Sequence, residues 1–324
     1  MNAKIKSRKN KIHPMGIAIA VLVIALFIAI GILRPGYYKT QNLLTIINSI
    51  PGRGILVLGF TFVLITGGID LSVGYGMTLT IMILGVVLKA GASPVIACLA
   101  AIGTGLAIGI INGALIAVTK IPPFVVTLAT MEACQGLVNI LFVPNVKLKQ
   151  DLFKTIGYGT VFGGFPVSAI LLIVFFVIAL LLLKNTKLGT YTFAIGSNKK
   201  NARLAGVNVK LYEAMAYVLS GLCMGLAGIV FCSRVATVQK TTGGQSVLMD
   251  VVTAAILGGN IGGGEGSVIG AIIGTILLQM LSSALVLFNV SGDGQNVIKG
   301  CLIIIGLIVM NILKKNQSST VASK

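Results

Sequence analysis

The sequence predicts an all-α fold, a polytopic transmembrane helix bundle of about ten helices with the N-terminus and the C-terminus in the cytoplasm. Three observations predict it. The mean hydropathy is +1.02, apolar runs about 20 residues long recur along the chain, and only 10% of the 324 residues are charged. Soluble domains carry about 25% charged residues, so this composition excludes a soluble enzyme or a set of soluble domains.

The first predicted span is the apolar run at residues 15–33. This run contains no charged residue, is long enough to cross the ~30 Å hydrocarbon core, and exceeds the apolar core of a signal peptide. It follows a basic tail, residues 1–14, that we expect to remain in the cytoplasm. The other predicted spans follow in order: 42–66, 71–89, 94–118, 122–143, 166–183, 211–232, 247–260, 268–288 and 295–313.

The distribution of positive charge predicts the orientation. The chain has 25 Lys and Arg against 7 Asp and Glu. We expect no nucleic-acid partner, because the bases lie between apolar runs and no nucleic-acid-binding motif is present. With the N-terminus in the cytoplasm, the predicted cytoplasmic segments contain fifteen Lys and Arg and the predicted external segments contain eight. This excess on the cytoplasmic side agrees with the positive-inside rule. Residues 15–313 then form the membrane domain, and the cytoplasmic pieces are 1–14, 67–70, 119–121, 184–210, 261–267 and 314–324.

Glycines recur every fourth residue in two segments. One series is Gly105, Gly109 and Gly113, and the other runs from Gly262 to Gly274 at the same spacing. Small residues at this spacing allow helix backbones to approach closely in lipid. Both series therefore predict tight helix contacts and say nothing about function.

The second span contains the sequence Pro51-Gly52-Arg53-Gly54. Proline removes a backbone donor and glycine loosens a helix. We therefore expect a break or a kink here, and discontinuous helices of this kind line transporter sites.

Charged and polar residues at membrane depth are the candidates for the translocation path, because they are costly there. Asp70 and Ser72 lie between two apolar runs. Asp70 either caps the helix that begins near Leu71 or takes part directly in lining or gating the path.

A second polar group lies in the span at 122–143. Thr127, Thr130 and Asn139 fall roughly on one helical stripe, and Glu132 falls off it. Such a stripe faces protein or water, so it predicts either hydrogen bonds between helices or contact with solute.

The loop at 184–210 is the longest predicted cytoplasmic connection and carries six bases. Ser197 or Asn198 can cap a short helix there, and Gly206 can end it in the left-handed conformation. A helix of about two turns is too short to be stable alone in water, so we expect it to dock against something.

Catalytic chemistry is absent from the sequence. His13 is the single histidine, the five cysteines have no metal-ligand spacing, and the phosphate-binding pattern GxxxxGK[ST] does not occur. We expect no cofactor in this chain. If ATP drives its activity, a separate subunit binds the ATP and Mg²⁺.

Several segments in order along the chain resemble the ribose-type sugar permeases of bacterial ABC importers. They are residues 66–74 (TGGIDLSVG), 121–128 (IPPFVVTL), 194–198 (AIGSN), 202–209 (ARLAGVNV), 257–259 with 266–268, and 295–300 (QNVIKG). The resemblance covers almost all of the chain after the basic tail.

The resemblance implies a ten-helix permease of the bacterial cytoplasmic membrane that is not itself an enzyme. Its implied partners are an ATP-binding subunit, an external protein that delivers a monosaccharide or similar solute, and a second permease subunit, usually identical. Asp70 and Ser72 belong to the family signature. The residues implied to couple the chain to the ATPase are Gly196, Asn198, Ala202, Arg203 and Gly206.

Three departures from the family pattern indicate a divergent member. Lys199 and Lys200 replace residues that are often acidic, Glu265 replaces a residue that is often basic, and residues 247–250 (VLMD) keep only the final Asp of a family stretch. Matched charge changes in the ATPase would explain them. The alternative function is an ion-coupled secondary transporter that uses Asp70 and Glu132.

Overall fold

The computed structural model describes residues 25, 27–119, 121–141, 146–161 and 164–322, with side chains as far as Ile308. The tail at 1–14 and most of the predicted first span lie outside the described residues. The end of that span, residues 27–33, is helical, and a 3-10 helix at Pro35–Tyr38 follows it.

Helices dominate the rest of the chain, as predicted, and pack into one all-α bundle. In chain order they are α1 (Thr40–Ile65), α2 (Val73–Lys89), α3 (Pro94–Val118), α4 (Pro123–Ile140), α5 (Asp151–Tyr158), α6 (Val167–Asn185), α7 (Lys187–Ser197), α8 (Lys199–Leu204), α9 (Val209–Val235), α10 (Gln245–Leu257), α11 (Val268–Leu287) and α12 (Gly292–Ala322). Two antiparallel strands, β1 (Thr160–Val161) and β2 (Phe165–Pro166), lie between α5 and α6.

Six of the described helices are long and apolar enough to cross a membrane: α1, α3, α4, α6, α9 and α11. Helices α2 and α10 coincide with predicted spans but have only 17 and 13 residues. Helix α10 is about 20 Å long at 1.5 Å per residue, which is shorter than the ~30 Å core.

Of the break or kink predicted at Pro51, the break is wrong, because α1 continues through Pro51 as a 26-residue helix. Proline is tolerated in membrane helices where neighbouring helices surround the interrupted backbone. Here Pro51 and Gly52 are both buried, and Gly52 packs against the ring of Phe231 on α9.

The glycine series on α3 forms the predicted close contact, and its partner is α9. A Cβ added at Gly105 or Gly109 would overlap the carbonyl oxygens of Gly221 and Tyr217 respectively. The two backbones are therefore in contact with no side chain between them.

The second glycine series is helical only in part. Gly270 and Gly274 lie on α11 and contact the backbone at Gly258 and Ala254. Gly262 and Gly266 lie in the preceding loop, and the positive φ of Gly262 (84°) ends any helical register there.

The loop around Gly264 closes one end of the bundle, which we call the α8 end. The amide of Gly264 donates to the carbonyl oxygen of Ile65 at 3.0 Å, and a Cβ at Gly196 would overlap both residues. The ends of α1 and α7 therefore meet the loop at 258–267 with no space for a side chain at Gly196.

Candidate functional site

Asp70 lies in the turn between α1 and α2 and is fully buried. Its Oδ1 accepts hydrogen bonds from the backbone N–H of Ser72 at 3.0 Å and from the Ser72 hydroxyl at 2.5 Å. Its Oδ2 accepts from the hydroxyl of Ser220 on α9 at 2.7 Å. The carboxylate thus binds Ser72, the residue directly before α2, and fastens the α1–α2 turn to α9, but it accepts no hydrogen bond from the first turn of α2 itself.

The hydrogen-bond chain continues from Ser72 to two further helices. Asn112 on α3 donates from Nδ2 to the Ser72 hydroxyl at 3.0 Å and accepts at Oδ1 from the Thr130 hydroxyl at 2.6 Å. We call Asp70, Ser72, Asn112, Thr130 and Ser220 the carboxylate network. It joins the α1–α2 turn to α3, α4 and α9, about 10 Å from the α8 ends of α3 and α4.

The predicted polar stripe on α4 divides in the structure. Thr127 is buried and donates to the carbonyl oxygen of Ile69, at 3.1 Å, so it holds the residue before Asp70. Thr130 belongs to the network. Asn139 and Glu132 are both exposed and lie apart from it. The structure therefore brings Thr127 and Thr130 to Asp70 and Ser72 but leaves Asn139 outside.

The carboxylate network is neutral apart from Asp70 itself. Among the described residues no ion pair involves Asp70, so hydroxyl and amide donors alone stabilise its buried charge. The Tyr217 hydroxyl lies against Gly68, is buried and has no hydrogen-bond partner among the described residues. The network is thus suited to hold helices together and offers an unused donor beside them.

A second, largely buried polar site lies at the middle of α1. Arg53 donates from Nε to Asp250 Oδ2 at 2.8 Å, and Lys299 Nζ lies 2.7 Å from Asp250 Oδ1. The Arg53 guanidinium also lies over the Phe231 ring, with its central carbon 5.4 Å from the ring centroid. These three charged residues, the ion triad, join α1, α10 and α12.

Sequence reasoning missed the ion triad, although a signal for it existed. Arg53 and Lys299 are bases inside predicted spans and Asp250 is an acid inside another. Charges at membrane depth pair with one another, so these residues were candidates for contact. The triad contains two cations and one anion, so a net positive charge remains between α1, α10 and α12.

Helix α8 has the predicted caps. Asn198 is its N-cap and accepts the amide N–H of Asn201 at its Oδ1, at 2.9 Å. Gly206 follows the helix at a φ of 82°, and Val207 N–H donates to the carbonyl oxygen of Ala202, at 3.1 Å. Such a hydrogen bond after a left-handed glycine ends a helix sharply.

Two interactions dock α8 onto the bundle. Ala202 is buried against Ile195 of α7 and Val209 of α9. Lys199 Nζ lies 2.7 Å from Glu213 Oε1 on α9. A lysine in the first turn opposes the helix dipole, and this ion pair within the chain compensates for it.

The outer face of α8 is exposed. Arg203 and Lys200 are exposed, and Leu204 is 79% exposed. Gly196 and Ala202, predicted as coupling residues, lie on the inner side and support the helix. Sequence reasoning missed Leu204, whose apolar character looked ordinary in such an apolar chain.

The comparisons with known proteins identify the family. The model of one protein family, described as "Branched-chain amino acid transport system / permease component", matches residues 42–307. The chain belongs to this permease family. Its members are transport subunits and not enzymes, so this permease is a multi-pass membrane protein of that class.

Individual relatives match the permease over most of its length. It is 36% identical over 288 residues to the ribose import permease protein of Bacillus subtilis (strain 168), covering 88% of this chain and 89% of the relative. The ribose import permease protein of Escherichia coli (strain K12) is 32% identical to it over 302 residues, covering 89% of this chain and 92% of the relative.

A relative with a different named solute also matches the permease. The galactofuranose transporter permease protein of Escherichia coli (strain K12) is 30% identical over 268 residues, covering 82% of this chain and 78% of the relative. No solved structure matches the permease.

Proposed function

We propose that this permease is the membrane subunit of an ATP-driven importer that moves a monosaccharide or similar small polar solute across the bacterial cytoplasmic membrane. The relatives named for ribose and galactofuranose support the solute class. The observation that carries ATP coupling is the exposed outer face of α8, a capped helix too short to stand alone that is docked by Ala202 and leaves Arg203 and Leu204 accessible.

In this proposal α8 transmits movement to the membrane domain through α9. The Lys199–Glu213 ion pair attaches α8 to α9, and Ser220 of α9 holds Asp70. Glu213 and Ser220 are seven residues apart, two helical turns, so they lie on one face of α9. A displacement of α8 by the ATPase would therefore reach the carboxylate network along one rigid helix.

The carboxylate network and Thr127 would then act as the gate at the α8 end of the path. Their hydrogen bonds close the turn between α1 and α2 onto α3, α4 and α9. Opening the path at this end requires those bonds to change. Asp70, Ser72, Thr127 and Thr130 are gating residues in this proposal, and Asn139 takes no part in the gate.

The proposed assembly places the ATP-binding subunit, with its ATP and Mg²⁺, at the α8 end, and a solute-binding protein at the opposite end. A second copy of this chain completes the path. The basic loop that carries α8 faces the cytoplasm, as do both termini, because bases are retained on that side.

Uptake by the complete importer tests this function. The permease is reconstituted in proteoliposomes with its co-purifying ATP-binding and solute-binding proteins, and uptake of labelled ribose, galactose and the solute found on the binding protein is measured. We expect uptake to require ATP and to survive collapse of ion gradients. Uptake that follows an ion gradient and ignores ATP would favour the ion-coupled transporter.

A further inference from the structure

A long apolar groove lies on the bundle surface between α3 and α4. It has a volume of about 570 Å³, and its walls include Ile111 and Leu115 of α3 and Val125 and Leu137 of α4. Its lining extends from residue 121 to residue 137, which is about 24 Å along a helix. A polar solute would find almost no hydrogen-bond partner there, whereas a hydrocarbon chain would fit.

A second cavity, of about 590 Å³, continues from the groove at the α8 end. Ile121 lines both spaces. The wall on one side is formed by the end of α3, the described part of the α3–α4 connection and the start of α4, and is apolar apart from Thr119. The other side carries three bases and one acid from α8 and the start of α9: Lys199, Arg203, Lys210 and Glu213. The described residues of this lining carry a net charge of +2.

The surface around the two spaces is apolar and exposed. Val118 is 77% exposed and Phe124 is 51% exposed, and both lie beside Ile121. Exposed apolar residues on a membrane helix face lipid unless another protein covers them. The basic cavity therefore lies where the lipid-facing surface meets the charged loop, which is the depth of a phospholipid headgroup.

We propose that the groove and the basic cavity together bind one anionic phospholipid of the cytoplasmic leaflet. The acyl chains lie in the groove between α3 and α4, whose length exceeds the ~15 Å thickness of one leaflet. The phosphate group lies in the cavity, near Arg203 and Lys210. Basic pockets at the cytoplasmic ends of membrane helices bind acidic headgroups.

Bound lipid would connect the coupling loop with the transport helices. Arg203 belongs to α8, whereas Thr130 lines the groove and belongs to the carboxylate network. One lipid would thus touch both the proposed coupling element and the proposed gate. Its placement in the cytoplasmic leaflet rests on the orientation given under the proposed function.

Fluorescence quenching tests the lipid site without background, because the chain contains no tryptophan. Val125→Trp places a reporter in the groove, and Leu181→Trp places a matched control on α6. Both residues are exposed (41% and 50%) and lie within about one turn of the α8 end of their helices. Each full-length variant is reconstituted with phosphatidylglycerol or phosphatidylcholine carrying brominated acyl chains.

We expect brominated phosphatidylglycerol to quench Val125→Trp at a lower mole fraction than brominated phosphatidylcholine, and both lipids to quench Leu181→Trp equally. Arg203→Gln with Lys210→Gln should reduce the preference at Val125→Trp, by roughly fivefold per removed base. Lys187→Gln with Lys200→Gln removes two exposed bases that do not line the cavity, and should leave the preference intact.

Three results would overturn the lipid site. They are equal quenching of Val125→Trp by the two lipids, a preference that survives Arg203→Gln with Lys210→Gln, and quenching of Leu181→Trp alone. The last result would mean that protein, such as a second copy of this chain, covers the groove. The measurement needs neither ATP nor solute, so its outcome is independent of the uptake experiment.

Discussion

The Ser220 hydroxyl donates a hydrogen bond to Asp70 Oδ2 at 2.7 Å, and this contact joins two residues that are 150 positions apart in the chain. Both residues are buried. Through this bond the middle of α9 holds the turn before α2, and Ser72 in that turn connects to Asn112 of α3 and through it to Thr130 of α4.

Removing the Ser220 hydroxyl should destabilise the bundle. Ser220→Ala leaves one carboxylate oxygen buried without a donor, which costs about 1–3 kcal/mol. Thermal unfolding in detergent would measure the loss. Ser233→Ala is the matched control, because Ser233 lies on the same helix and is buried but its hydroxyl has no hydrogen-bond partner among the described residues. Equal losses in the two variants would contradict the role of Ser220.

The ion triad predicts an order of sensitivity among its three members. Asp250→Asn leaves the partly buried Arg53 and the buried Lys299 without an anion, and removing one partner of a buried pair costs about 3–5 kcal/mol. Lys299→Met or Arg53→Met instead leaves a neutral pair, so each should cost less. Stability and membrane insertion measured on the three variants give the order.

A matched control for the triad is Asp151→Asn. Asp151 pairs with Lys154 at 3.0 Å, and its side chain is 97% exposed. Exposed pairs contribute little, so this substitution should leave stability unchanged. If Lys299→Met lowered stability as much as Asp250→Asn, that result would contradict the view that Arg53 and Lys299 share Asp250 as their anion.

Substitutions in α8 should separate insertion from coupling. Arg203→Ala removes an exposed base from the outer face, and Gly206→Val places a β-branched residue at a φ of 82°, which such residues rarely adopt. We expect both variants to insert normally and to show reduced solute-stimulated ATP hydrolysis in the complete importer. Lys187→Ala, an exposed base on α7, is the control. Normal solute-stimulated ATP hydrolysis in both α8 variants would reject the proposal that α8 couples the permease to the ATP-binding subunit.

The contact between α3 and α9 should tolerate no side chain at Gly109. Gly109→Ala would drive a methyl group into the carbonyl oxygen of Tyr217, and overpacking of this kind costs about 1–3 kcal/mol. Gly103→Ala on the same helix meets nothing within 4 Å and should be neutral. Thermal unfolding of both variants in detergent measures the difference in stability. Equal stability of Gly109→Ala and Gly103→Ala would mean that α3 and α9 can move apart without cost.

Local patterns predicted the helices and the α8 caps because both depend on residues close in sequence. The apolar runs defined most helices to within a few residues, and the order Asn198 to Gly206 predicted the short helix between them. Whether the helix breaks or continues at Pro51 was not predictable, since the outcome depends on the neighbouring helices that pack around that turn. The same holds for the small strands β1 and β2, whose pairing involves only two residues on each side.

For the carboxylate network and the ion triad, the sequence predicted only that some polar and charged residues lie at membrane depth, where they are energetically unfavourable unless paired. The sequence identifies Asp70, Arg53 and Asp250 as charges in an apolar chain, but it does not say which of them meet. That choice depends on how helices far apart in the chain cross one another.

The sequence by itself determined that this protein is a helical membrane bundle with a capped basic loop, because hydrophobicity and capping act over a few residues. Tertiary structure alone decided that Ser220 and Asn112 complete the Asp70 site and that Arg53 and Lys299 share one carboxylate. It also decided that Ile121 joins an apolar groove to a basic cavity. The physical reason is that a buried polar group must find its partner in three dimensions, wherever in the chain that partner lies.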